Sequence, residues 1–155
     1  MSTQLFGDWK KVQEKLSELD DDLKEGLKVA LLQNAEMIRT KLVQHIQSQN
    51  LGWAGLDKDY LKQKRRKGLS QHILIATATL LNSITVNQVS DEEAFVGVLR
   101  SAPTQGGDYV MIGSVMEYGS AARNIPARPL FGPTFKESLP EIETRFRNAI
   151  EKILS

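Results

Sequence analysis

Apolar residues recur at helical spacing over two long stretches of this chain, with a short alternating stretch between them. Trp9, Val12, Leu16 and Leu19 stand three and four apart, which predicts a short amphipathic helix. Asp20-Asp21-Asp22 interrupts that pattern. Asp22 with Glu25 three residues on has the form of a capping box, so a second helix is expected to start there. Leu23, Leu27, Leu31, Ala35, Ile38, Leu42 and Ile46 then hold one stripe for more than six turns. Gly26 weakens its start by about 1 kcal/mol relative to Ala, and Asn50 and Gly52 stop it.

The middle of the chain changes period. Trp53 and Leu56 read as an anchor, followed by a short basic helix from about Asp57 to Lys67 that Gly68 closes. Residues 69–75 read as loop, and Thr77 to Asn82 as a helical turn. Ile84 and Val86, and later Val96 and Val98, alternate with Thr85, Asn87 and Gly97. Ser90-Asp91-Glu92-Glu93 supplies a turn between them, so a hairpin is expected. Ser101 to Gly107 is rich in turn formers, and Asp108 is placed to cap a short helix that carries Ile112, Val115 and Met116 on one face. Gly119 falls at the position that ends such a helix.

Phe131, Phe135, Leu139, Ile142, Phe146, Ile150 and Ile153 form a second long stripe, expected to pack on the helix at residues 23–46. Pro140 is foreign to a helix interior, and Ser138 with Glu141 repeats the capping-box form, so a kink or a fresh start is expected there. Between the two glycine- and proline-marked points, residues 120–130 read as an extended arm. Pro126 and Pro129 fix φ and remove two N–H donors, and Arg128 stands between them, expected to be exposed. The elements sum to an α+β domain, with long amphipathic helices on one face of a small antiparallel β-sheet, and residues 1–155 read as a single domain.

Composition changes this picture little. The chain has 155 residues, 41% of them hydrophobic and 25% charged, which suits one soluble globular domain. No 18-residue apolar run is present, so no membrane span is expected. Met1 to Lys11 has no apolar signal-peptide stretch, so a cytoplasmic site of synthesis is expected. The absence of cysteine excludes disulfides, thiolate zinc sites and a Cys nucleophile. A net charge of +1 argues against bulk electrostatic capture of nucleic acid. The charge is local: residues 57–67 hold six basic and two acidic side chains, a net +4, whereas residues 1–50 hold seven and eight. Lys62, Lys64, Arg65, Arg66 and Lys67 are therefore the residues that would face DNA, or a solvated surface on the plainer reading.

Candidate chemistry is sparse. His45 and His72 are isolated in sequence, and no HExxH, GxSxG, GxGxxG or Walker pattern occurs. Gly106-Gly107 could hold an anion, and Asp20-Asp21-Asp22 a divalent ion, but a flexible loop and helix capping explain them more simply. Glu117 is the one acid among apolar neighbours. A buried ion pair with Arg123 or Arg128 is expected in preference to catalysis, because no second carboxylate stands near it in sequence. No catalytic residue, metal site or cofactor is expected.

Four segments carry a resemblance. Trp53-Ala54-Gly55-Leu56-Asp57-Lys58-Asp59-Tyr60-Leu61-Lys62-Gln63-Lys64 precedes a glycine-ended basic stretch. Thr77-Ala78-Thr79-Leu80-Leu81-Asn82-Ser83-Ile84 follows, then Glu117-Tyr118-Gly119-Ser120, then Pro126-Ala127-Arg128-Pro129. In order and approximate spacing these resemble the motifs of the tailed-bacteriophage virion morphogenesis family, from residue 53 onward. Ala78 stands where that family has glycine, Ser120 where it has threonine, and Leu130 where it prefers Phe, with Phe131 one later.

The resemblance implies a tail-completion or neck protein that joins head to tail by protein–protein docking and is not an enzyme. It implies phage neck or tail partners (a tail terminator, a head-closure or connector ring), a homo-oligomeric ring in the virion, and assembly in the host cytoplasm. Arg123, Arg128, Pro129, Phe131, Glu117 and Tyr118 are the expected partner-binding residues. A DNA-contacting adaptor using residues 58–67 is the alternative.

Overall fold

The computed structural model describes residues 8–75, 79–99 and 109–155. Asp8 caps the first helix, α1 (Trp9–Ser48), by accepting from the Lys11 N–H. This helix is unbroken for 40 residues, so the two helices expected around Asp20–Asp22 are one. All three aspartates are exposed, where a carboxylate costs a helix little, and Asp20 gains an i,i+4 ion pair with Lys24. Asp22 caps nothing. Gln49 ends the helix in the left-handed region, φ 54°.

After a loop, Asp57 caps α2 (Lys58–Arg66) by accepting from the Asp59 and Tyr60 N–H groups, and Gly68 closes it at φ +65°. A short α3 (Thr79–Ser83) leads directly into the hairpin of β1 (Ile84–Gln88) and β2 (Ala94–Val98). The strands pair antiparallel with Ile84 opposite Val98 and Val86 opposite Val96, as the alternation predicts. Next come α4 (Tyr109–Tyr118), a 3-10 turn at Ala121–Arg123, and α5 (Phe131–Leu154). The expected loop at 101–107 and cap at Asp108 lie outside the described residues. The protein is α+β: long helices packed with a small two-stranded antiparallel sheet.

Helix α1 is the spine. The hairpin packs against it, and α5 runs antiparallel along it. His45 Nε2 lies 3.0 Å from Glu137, Lys41 Nζ lies 3.1 Å from Glu141, and Ile153 occupies the space a Cβ on Gly26 would need. Helix α5 carries Pro140 within it and does not restart. Ser138 is fully buried and donates to the Thr134 carbonyl, as Thr134 does to that of Leu130, so both hydroxyls are satisfied within their own helix. Such residues pack as small side chains. The buried face of α5 passes through them, and Phe135 and Leu139, expected inside, are 52% and 39% exposed. The apolar core centres on Leu42, Ile46, Ile84 and Leu130, with Ile38, Trp53, Leu81, Val96 and Phe131 packed around it. Asn34 is also buried, and its amide has no hydrogen-bond partner among the described residues.

Candidate functional site

Where α4 ends, the chain must turn sharply. Gly119 donates to the Val115 carbonyl at φ +75°, and a Cβ there would stand 2.9 Å from both the Ile125 oxygen and the Ala127 nitrogen. Only glycine fits. Ser120 and Ile125 bridge as an antiparallel pair around the 3-10 turn, with Asn124 in the left-handed region. The first half of the expected extended arm is therefore a closed loop, and only its second half runs free of regular structure to α5.

That second half docks on its own chain. Arg128 is buried, 5% exposed. Its Nε donates to the Ala54 carbonyl at 2.8 Å and its Nη2 to that of Gly55 at 2.9 Å. The expected exposed, partner-seeking guanidinium is instead an internal clamp between two loops. The physical reason is that the 53–57 turn, ahead of α2, offers two adjacent carbonyls at the fork spacing of an arginine. Trp53 completes the joint, its indole N–H donating to the Pro129 carbonyl at 2.7 Å.

Glu117 pairs with neither Arg123 nor Arg128. Its Oε2 accepts from the Leu130 and Phe131 N–H groups at 2.6 and 3.0 Å, and its Oε1 from Gly132 at 2.9 Å. It caps α5 from a distance, which Leu130 at the cap position has no side-chain oxygen to do. A carboxylate at a helix N-terminus also meets the positive end of the helix dipole.

Lys64 is the second correction. It is buried, 3% exposed, and donates to the His72 and Ile75 carbonyls at 2.9 and 3.0 Å. Burial lowers its pKa from the ordinary 10.5. Its stem reaches inward from α2 and pins the 69–75 segment, which Gln49 holds from the other side by exchanging hydrogen bonds with the Ile73 backbone. It is not available to DNA. Lys62, Arg65, Arg66 and Lys67 are exposed.

These joints border a cleft of about 850 Å³ between α2, α4 and the loop at 119–126. Leu56, Ile75, Leu80, Ile112, Met116 and Ile125 line it, with Asp57, Lys64, Arg123 and Arg128 among them. Of the expected partner-binding residues, Glu117, Arg128, Pro129 and Phe131 meet in the joint, and Arg123 opens onto the cleft. Tyr118 is 82% exposed. Ala54 and Gly55 are the residues of the joint that site-by-site reading passes over. A backbone carbonyl that receives an arginine has no signature in side-chain chemistry, although Trp53 stood out as an anchor.

No family model matches the chain, and no solved structure matches it. A similar protein is the uncharacterized protein MJ0331 of Methanocaldococcus jannaschii, 32% identical over 100 residues that span 62% of this chain and 68% of the relative. At that identity and coverage, the chain belongs to the same family as the Methanocaldococcus protein.

Proposed function

We propose that this protein is a structural assembly protein of a tailed-phage virion, completing the tail end or neck and joining head to tail by docking to neighbouring subunits. One observation carries the reading. The four segments that resemble the virion morphogenesis motifs are far apart in sequence, yet their described residues form a single joint. Trp53 reaches Pro129 across 76 positions, Arg128 reaches Ala54 and Gly55, and Glu117 starts α5. Leu80 and Ile84 border the same small gap as Glu117 and Arg128. Motif residues that hold one another in place belong to a common structural unit, and this supports the resemblance beyond the order of its parts. The surfaces left for docking are the rim residues Tyr118 and Arg123, not the buried clamp. Electron microscopy of particles assembled without this protein is the test. Unjoined heads and tails are expected, and joined, infectious particles would overturn the reading.

The alternative of DNA contact keeps one observation in its favour. Lys58, Lys62, Arg65, Arg66 and Lys67 are all exposed on or beside α2. Such a patch would give weak, sequence-independent binding that declines steeply with salt. A retardation assay at two salt concentrations, with Arg65, Arg66 and Lys67 replaced by Ala, distinguishes this from no DNA contact at all.

A further inference from the structure

The first part of α1 lies on nothing else in the described structure. Helix α5 meets α1 at Gly26 through Ile153 and stops at Leu154, and the hairpin turn reaches α1 at Lys28, which pairs with Asp91 at 2.9 Å. Residues 9–18 are all exposed. These exposed residues, about 15 Å of helix at 1.5 Å per residue, project past the contacts. A helical segment of that length is marginal in water without a partner. Yet its apolar residues are not scattered. Trp9, Val12, Leu16, Leu19 and Leu23 follow the three-four-three-four spacing of alternate a and d positions in a heptad. Trp9, Val12 and Leu16 are 52%, 46% and 59% exposed, so the outer part of that seam faces solvent. A helix meant only to lie on its own core carries a wider stripe than this; a narrow a/d seam is what a second helix wraps.

The flanking charges say which helix. With Trp9 at a, Lys15 occupies g and Asp20 occupies e of the next heptad. In a parallel pair, each g residue faces the e residue five positions further along the partner helix. Two copies of this segment in register would therefore place Lys15 of each beside Asp20 of the other. Among the described residues Lys15 forms no ion pair, and Asp20 uses Oδ2 for Lys24, which leaves Oδ1 to accept. The remaining positions from 10 to 21, outside the seam and its e and g flanks, are Lys10, Lys11, Glu14, Ser17, Glu18 and Asp21, a uniformly polar outer face.

We infer that residues 9–23 of α1 form a parallel, in-register coiled-coil contact with the same segment of a second copy of this chain, its seam made by Trp9, Val12, Leu16, Leu19 and Leu23 and its register fixed by Lys15 and Asp20. The contact is independent of any role in a virion. It is short, so association is concentration-dependent and reversible.

Sedimentation equilibrium of the whole chain tests it. The wild type should self-associate with rising concentration. Leu16→Glu, on an exposed position, should weaken association at least about tenfold while the cooperative urea unfolding of the core is retained, because it forces unpaired carboxylates into the seam. Lys15→Glu alone should weaken it, and Lys15→Glu with Asp20→Lys should restore it. A wild type that stays monomeric would overturn the inference and leave the seam to a different protein. Association indifferent to Leu16→Glu would overturn it by placing the contact elsewhere. Failure of the double reversal to restore association would overturn the parallel register.

Discussion

Arg128 shows how a residue with the right chemistry for docking can be spent inside the chain. Flanking prolines, a planar fork and a position after a loop all suit a contact with a partner. What decides its role is the pair of Ala54 and Gly55 carbonyls within 2.9 Å. Arg128→Ala should destabilise the monomer by about 3 kcal/mol in urea titration, since hydrogen bonds to a charged group contribute about 1.5–3 kcal/mol each. Arg128→Lys should recover no more than half, because an ammonium cannot reproduce the two-pronged donation. A loss below about 1 kcal/mol for the alanine variant would mean that Trp53 and the loop hold the joint alone. Lys64 makes the same point. Lys64→Ala should cost about 2 kcal/mol, while Arg65→Ala, Arg66→Ala and Lys67→Ala should each stay within about 0.5 kcal/mol. The pH dependence has a definite sign. Burial lowers the folded-state pKa of Lys64 below 10.5, so between that lowered value and 10.5 the unfolded chain binds more protons than the native one. The contribution of this group to stability therefore rises with pH through that window. Lys24 and Lys28, whose pKa values are raised by Asp20 and Asp91, act in the opposite sense above 10.5, where their contribution is lost as pH rises. Replacing Lys64 by Met should remove the rising component alone, read as a steeper alkaline loss in titrations at successive pH values.

At the scale of elements, period was legible and break points were not. The hairpin register, the span of α2 and the stop after α4 follow from alternation, an Asp cap and glycines. Two capping boxes, Asp22 with Glu25 and Ser138 with Glu141, start no new helix. The pattern is local and does not by itself end a helix. In α1 the three aspartates stay exposed along one unbroken helix, and in α5 the Ser138 hydroxyl donates back to the Thr134 carbonyl. The first turns of α5 face differently from the stripe, because large apolar residues outweigh Thr134 and Ser138 in any stripe count, whereas Ile142, Phe146, Ile150 and Ile153 are half-buried as the stripe predicts. In those first turns the small residues form the buried face. Phe135→Ala and Leu139→Ala should therefore each change stability by less than about 1 kcal/mol. Phe146, half-buried near Leu27 and Leu31, should cost about 2 kcal/mol on truncation to Ala, below the 3–5 kcal/mol of a fully buried Phe. Equal losses at all three positions would mean that α5 lies rotated from the orientation described.

For the molecule as a whole, fold class was readable because it rests on the periods of long segments. The joint was only half readable. Its side chains were named in advance, Glu117 and Arg128 above all, but their partners are backbone groups, and backbone groups are identical at every position. Tertiary context alone singles out which carbonyl or N–H is left unpaired. The pairing of α1 with α5 has a consequence for how the protein is made. Gly26 and Ile153 touch, so the spine and its cover come from segments far apart along the chain. While the ribosome is still extending the chain, the α1 face at Gly26, Lys41 and His45 has no α5 to close over it, and α5 emerges after the elements that precede it. Closing so large a loop delays the final step, although the entropic cost grows only slowly with loop length. The nascent chain therefore carries an uncovered helix face until α5 has emerged. Slow translation or a stop ahead of α5 would prolong that exposure, which makes the yield of folded protein sensitive to the codons of α5 as much as to the core.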